Sequence, residues 1–150
     1  MILRDFKSII FTRNLARQWS FGVSLIALTI MAKLSTHVLD TLHGGPAAGM
    51  ALAFYAFDAA SPHTPILRAQ YRTNADGRTN TLLLSGDSIT PGRYRLVFHV
   101  ADYFRSKGVA LPEIPFLDVV TVDFGIDDAG GNYHVPLVCT PWTYSTYRGS

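Results

Sequence analysis

Apolar and polar residues alternate along most of this chain in short runs, and clusters of turn-forming residues separate the runs. Alternation with a period of two is typical of strands that bury one face. Runs that recur at intervals of about ten residues indicate an antiparallel sandwich. Strands are predicted at residues 33–40, 50–57, 66–73, 81–84, 93–100, 116–124, 133–140 and from 143 to the end.

The segments between these runs predict loops and one helix. Residues 61–65 (SPHTP) and 74–78 (NADGR) are rich in turn formers, and Gly77 suits a turn position with positive φ. Residues 101–107 have room for about two helical turns before Gly108 ends them. The expected fold class is therefore all-β, an antiparallel β-sandwich with one short helix.

The C-terminus differs from the frayed polar tail that ends most chains. Tyr144 and Tyr147 alternate there with the β-forming residues Thr143 and Thr146. This pattern predicts a strand that runs to Ser150, which would hold the terminal carboxylate and the serine hydroxyl in place. The alternative is that the tail only closes a sheet edge.

Composition and charge limit the classes of function. The chain has 150 residues, of which 48% are hydrophobic, so it can form one domain with a substantial core. Its net charge of +2 is unevenly spread, because residues 1–30 hold four basic residues against one acidic residue. The remainder is close to neutral and has no basic stripe, so we expect no binding of nucleic acid.

Residues 1–32 are predicted to be an extension outside the domain, which spans residues 33–150. The apolar stretch at residues 21–32 follows a basic leader and is too short to span a bilayer comfortably, so no stable membrane association is expected. We favour a true start at Met31, which indicates a cytoplasmic protein. A signal peptide cleaved after Ala32, which would send the protein to the periplasm, and an organelle-targeting peptide are the alternatives.

Several kinds of site are not indicated by the sequence. Cys139 is the only cysteine, which excludes an intrachain disulfide, and its apolar surroundings predict a buried, inert thiol. The chain has no His-x-x-x-His or Cys-x-x-Cys pair, no phosphate loop and no Gly-x-Ser-x-Gly elbow. We therefore expect neither a metal nor an organic cofactor.

Three polar residues are not easily explained by strand packing. His37 and His134 lie inside predicted strands, and Arg78 follows the Asp-Gly turn. A histidine in a strand is more often solvated or hydrogen-bonded in a core than catalytic. An arginine after a turn is commonly solvated. On the residues alone, both interpretations stay open.

Three segments together closely resemble one family. They are LSTHVLD at 34–40 with GPA at 45–47, DGR at 76–78, and YHVPL at 133–137 leading to YSTYRGS at 144–150. With these segments, and above all with the terminal YRGS, the chain resembles the 5-hydroxyisourate hydrolases, the transthyretin-related enzymes of urate degradation. The resemblance covers residues 33–150.

The resemblance carries expectations for the fold and the site. It implies a transthyretin-like sandwich of two four-stranded sheets with one short helix. It implies a homotetramer, a dimer of dimers, with active sites at the channel between the dimers. It also implies that His37, Arg78 and His134 are catalytic. Tyr147, Arg148 and Ser150 are implied to bind the substrate.

The resemblance further implies the hydrolysis of 5-hydroxyisourate to 2-oxo-4-hydroxy-4-carboxy-5-ureidoimidazoline by opening of the six-membered ring. The residue types suit that chemistry, because a neutral histidine can activate water and an arginine can stabilise an oxyanion. We favour His134 as the base with His37 as its partner. The alternatives are a transthyretin-like carrier that binds a small ligand without turning it over, and a structural sandwich without a ligand.

Overall fold

The computed structural model describes residues 31–149, whose strands form a sandwich with one short helix. The all-β class is therefore confirmed. Within residues 31–149 the strands are β1 (Lys33–Ser35), β2 (Val38–Asp40), β3 (Gly45–Pro46), β4 (Ala51–Asp58), β5 (Ser61–Arg72), β6 (Leu84–Ser85), β7 (Gly92–Phe98), β8 (Val120–Ile126), β9 (Asn132–His134), β10 (Leu137–Cys139) and β11 (Tyr144–Thr146). A 3-10 turn covers Gly86–Ser88, and helix α1 covers Val100–Ser106.

The predicted extension falls almost wholly outside this region. Residues 1–30 and Ser150 are outside the described residues, so the division of the chain at residue 32 stays a prediction.

One layer of the sandwich is an antiparallel sheet in the order β5-β4-β7-β8. Its central strands β4 and β7 bury apolar side chains on the face that meets the other layer, among them Phe54, Leu96 and Phe98. Strand β5 lies at one edge of this sheet, and β8 lies at the other.

The other layer is interrupted half-way along its strands. Its two parts have the orders β6-β1-β9 and β11-β10-β2-β3. Strands β1 and β2 run parallel to β9 and β10, with Leu34 opposite Tyr133 and Leu39 opposite Val138. The pairing is interrupted between β1 and β2, where the Thr36 hydroxyl donates to the Val135 carbonyl at 2.7 Å. Where two four-stranded sheets were expected, this layer therefore divides into sheets of three and four strands.

The core forms where the two layers meet. Leu34, Val38 and Leu137 from the interrupted layer join the apolar cluster of β4 and β7, and none of the three is exposed. Cys139 belongs to the same cluster, and burial raises the pKa of its thiol to about 12. The predicted buried, inert cysteine is confirmed as buried, and at neutral pH it stays protonated.

Helix α1 packs onto this core through Tyr103 and Phe104. Gly108 follows the helix with φ of 80°, a left-handed conformation in which glycine commonly ends helices, as the sequence predicted. No helix within residues 31–149 has the length and apolar content needed to cross a membrane.

Several predicted boundaries are wrong. The strand predicted at 81–84 is found only at Leu84–Ser85, and the strand predicted from residue 116 begins at Val120. Residues 61–65 form no loop, because β5 already begins at Ser61. Pro62 and Pro65 are tolerated there because β5 is an edge strand, in which a missing N–H costs no ladder hydrogen bond. The terminal strand β11 ends at Thr146, well before the last residue.

A buried carboxylate ties strand β2 to helix α1. Asp40, only 2% exposed, accepts hydrogen bonds from the backbone N–H groups of Leu42 and His43 and from the Tyr103 hydroxyl at 2.9 Å. Its carboxylate also lies 2.6 Å from His43 Nδ1. Burial alone would raise the pKa of Asp40, but these hydrogen bonds hold it below its ordinary value. Burial, followed by the hydrogen bond to Asp40, raises the pKa of the Tyr103 hydroxyl.

We expect Asp40→Asn to destabilise the fold by about 1–3 kcal/mol, because an amide cannot accept every hydrogen bond that the carboxylate accepts. Since the pKa of Asp40 is depressed in the folded state, its contribution is present above the ordinary pKa of 3.8 and is lost as the pH falls through the folded value. Urea unfolding between pH 7 and pH 3 measures how this contribution to the free energy of unfolding changes with pH. The wild type should lose more stability on acidification than the variant, and the exposed Asp87→Asn is the control.

Candidate active site

His37 lies at the interruption between β1 and β2, and its side chain is half-buried. Its backbone pairs with Arg78 in an isolated antiparallel bridge. Its carbonyl accepts a hydrogen bond of 2.8 Å from the N–H of Leu137, at the start of β10. His37 is therefore held between the turn at residues 74–78 and strand β10.

Arg78 is placed beside His37 by a turn that requires glycine. Gly77 has φ of 71°, and its carbonyl accepts the N–H of Val38 at 2.8 Å. A Cβ at this position would collide with the carbonyl of Val38. Asn74 Oδ1 accepts the N–H of Arg78 at 3.1 Å, which closes the turn. The side chain of Arg78 is exposed.

His134 lies at the end of β9 and is bounded on two sides. On one side Ser35, its partner in β1, places its hydroxyl oxygen 2.9 Å from His134 Nδ1. On the other side the backbone of Gly149 forms a bridge with His134, in which the glycine N–H donates to the His134 carbonyl at 2.8 Å. A Cβ on Gly149 would lie 2.9 Å from Cδ2 and 3.0 Å from Cβ of the histidine.

The three residues act on one another through charge. Burial and then the positive charge of Arg78 lower the pKa of His37 below 6.5. Burial, then Arg78 and then His37 lower the pKa of His134. The structure thus brings the three predicted catalytic residues together and favours neutral imidazoles near pH 7. Their catalytic role stays a prediction.

Two of the three predicted substrate-binding residues border a cavity beside His134. Tyr147 and Arg148 line this space of about 200 Å³ together with Tyr133 and His134. The guanidinium of Arg148 lies over the ring of Tyr133, 5.0 Å from its centre, which ties the tail to β9. Ser150 lies outside the described residues, so its placement beside the substrate stays a prediction.

A second cavity in the described part of the chain lies away from the predicted site residues. This larger cavity of about 470 Å³ lies against Phe54 and Tyr94 and includes none of the predicted site residues. Within residues 31–149, no group of three His, Cys, Asp or Glu side chains is arranged to hold a metal ion.

Sequence reasoning missed two residues that border His134. Ser35 is two positions before His37 and therefore on the same strand face, which is the only local signal that could have drawn attention to it. Gly149 belongs to the YRGS ending, and nothing in that motif indicates that this residue must lack a side chain. In both cases the contact with His134 joins residues that are distant along the chain.

Comparison with known proteins identifies the family of this chain. The profile of the HIUase/Transthyretin family matches residues 34–149. The chain belongs to this family. Curated members include the 5-hydroxyisourate hydrolase of Ralstonia nicotianae, 49% identical over 120 residues that cover 80% of this chain and all of that protein. The 5-hydroxyisourate hydrolase of Deinococcus radiodurans is 52% identical, covering 78% of this chain and 95% of that protein. That of Mus musculus is 40% identical over 81% of this chain and 98% of that protein.

Solved structures of similar proteins agree in fold. A crystal structure of (S)-allantoin synthase has a TM-score of 0.74 and 40% identity, and the alignment covers 80% of this chain but only 44% of that longer protein. Sea bream transthyretin in complex with thyroxine has a TM-score of 0.69 and 25% identity, over 79% of this chain and 95% of transthyretin. These neighbours confirm the transthyretin-like sandwich.

We expect Gly149→Ala to disturb His134, because the added methyl must displace either the imidazole or the tail. Hydrolysis of 5-hydroxyisourate, the activity that the sequence predicts, should fall by about ten- to a hundredfold, as small misplacements of reacting groups do. The control is Gly45→Ala, where an added Cβ meets nothing within 4 Å. Equal activity in the two variants would contradict the tight packing at His134.

Proposed function

We propose that this protein is a 5-hydroxyisourate hydrolase. The reaction adds water to a ring carbonyl of 5-hydroxyisourate, breaks the adjacent C–N bond of the six-membered ring and forms 2-oxo-4-hydroxy-4-carboxy-5-ureidoimidazoline. One observation carries the proposal. Arg78 and His37 lie close enough to His134 to lower its pKa, in a chain that is 40–52% identical to relatives named for this activity.

His134 acts as the general base in this proposal. Its lowered pKa keeps the ring neutral, so a nitrogen lone pair is available at neutral pH to take a proton from the attacking water. His37 is its partner, which orients the water or returns a proton to the leaving nitrogen. Water supplies the oxygen of the new carboxylate, and the leaving ring nitrogen ends as part of the ureido group.

Arg78 stabilises negative charge in the transition state. Its planar guanidinium can hold two oxygens of the substrate and the oxyanion that forms when water attacks. The same positive charge lowers the pKa values of both histidines, which keeps the base unprotonated. One side chain thus serves both substrate binding and the protonation state of the base.

The tail completes the site, and Tyr147, Arg148 and Ser150 contact the substrate from the side of the cavity. Support for Tyr147 and Arg148 comes from their place at the rim beside His134. We also propose the homotetramer that the sequence predicts. Its support is that every residue of β11 is exposed and that Tyr144, with Trp142 just before the strand, is 45% and 56% exposed respectively, an apolar surface that a second copy would cover. Cytoplasmic localisation stays a prediction from residues 1–32.

The function is tested with freshly prepared 5-hydroxyisourate, which urate oxidase generates from urate. We expect the protein to accelerate the decay of its ultraviolet absorbance over the spontaneous rate. His134→Ala should lose most of this acceleration, by at least about a hundredfold, as expected when a general base is removed. His63→Ala is the matched control, because His63 is an exposed histidine on the opposite sheet.

A folded protein that does not accelerate the decay would overturn the proposal. The transthyretin-like carrier would then be the better interpretation, and binding of small aromatic ligands would be measured instead.

The pH dependence follows from the lowered pKa of His134. We expect the acid limb of the kcat/KM profile to lie below pH 6.5, because burial, Arg78 and His37 all hold the ring neutral to lower pH. His37→Ala removes one of the groups that lower this pKa, so the acid limb should move towards higher pH. The His134→Ala profile should lose this limb. An unchanged profile in the His134 variant would show that another group is the base.

A further inference from the structure

The imidazole of His134 has two different environments at its two nitrogens. Nδ1 lies 2.9 Å from the hydroxyl oxygen of Ser35. Nε2 has no such partner among residues 31–149.

The two nitrogens therefore differ in what they can do. A serine hydroxyl can donate or accept a hydrogen bond, so it can accept the proton of an Nδ1–H group. Because Ser35 occupies Nδ1, the proposed base must act through the free Nε2, which requires the proton to be on Nδ1. The lone pair is then on Nε2, away from β1. The hydrogen-bond partner of one ring nitrogen thus sets whether the other nitrogen donates a proton or accepts one.

We propose that Ser35 is a positioning residue that holds the Nδ1 proton of His134 and so directs the basic Nε2 towards the attacking water. This assignment rests on the proposed hydrolase function, because the role of His134 as the base requires a free lone pair on Nε2. No covalent step involves Ser35. It accepts the Nδ1–H throughout, both before and after Nε2 takes the proton from water.

The position of Ser35 is set by the sheet. Ser35 and His134 are partners in the parallel pairing of β1 with β9, so the hydroxyl is presented to the ring without a flexible linker. The next residue, Thr36, offers a matched comparison. Its hydroxyl bridges the same two chain segments by donating to the Val135 carbonyl at 2.7 Å, but it does not contact the imidazole.

The experiment compares three variants of the full chain. Ser35→Ala removes the hydroxyl at Nδ1, Ser35→Thr keeps a hydroxyl there, and Thr36→Val removes the neighbouring hydroxyl. Nitrogen NMR of protein labelled with ¹⁵N-histidine reports the tautomer without substrate. The His134 signals, among those of five histidines, are identified by their loss in His134→Ala. The hydrolase assay then gives kcat and KM, and urea unfolding gives stability.

We expect the wild type to hold the proton on Nδ1 of His134. Ser35→Ala should mix the tautomers and lower kcat by roughly five- to tenfold, the value of one hydrogen bond, with KM unchanged. Ser35→Thr should restore both readouts. Thr36→Val should lower stability and leave the tautomer and kcat as in the wild type.

Two results would overturn the proposal. One is a wild-type His134 with its proton on Nε2, which would make the ring a donor towards the substrate. The other is a Ser35→Ala variant with the wild-type tautomer and kcat. Because the NMR measurement needs no turnover, failure of the hydrolase assay in the wild type would count against the proposed function alone and would leave the assignment of the tautomer to be decided by the spectra.

Discussion

The parallel pairing of β1 and β2 with β9 and β10 is the constraint on which the site depends. It joins segments 99 residues apart in sequence, and it sets Ser35 opposite His134. Parallel neighbours cannot be joined by a tight hairpin, so the whole first sheet and helix α1 lie between them along the chain. Where this pairing is interrupted, between β1 and β2, the carbonyl of His37 still accepts the N–H of Leu137. The imidazoles therefore stand where the regular sheet is interrupted.

The electrostatics of the site follow from partial burial. A fully solvated arginine would act weakly on a nearby imidazole, because water screens the interaction. Here burial removes part of the water from both histidines, so the charge of Arg78 and burial work in the same direction on each pKa. Arg78 itself stays exposed and keeps its charge without a cost of desolvation. The result is two imidazoles that favour the neutral form next to a cation, a combination that suits the attack of water on a carbonyl.

The tail is bound by separate and individually modest contacts. Strand β11 pairs with β10, Arg148 lies over Tyr133, and Gly149 bridges to His134. Tyr133 in turn donates its hydroxyl proton to Asp127 at 2.8 Å, which fixes the ring that Arg148 covers. Only glycine permits the backbone to approach His134 this closely. A segment near the end of the chain is thus brought into the site by the strand that carries the predicted base.

The sequence by itself determined the all-β class and the short helix, and it predicted the residues of the candidate site, because alternation, turn formers and motifs are local properties. Residues 34–38 alternate between buried and half-buried as predicted, and Gly108 ends α1. Tertiary structure decided what local pattern cannot express. Pro62 and Pro65 are allowed in β5 only because that strand is at an edge, and Ser35 matters only because the fold places it at Nδ1 of His134. Such contacts depend on pairing between distant segments, and no local window of the sequence contains both partners.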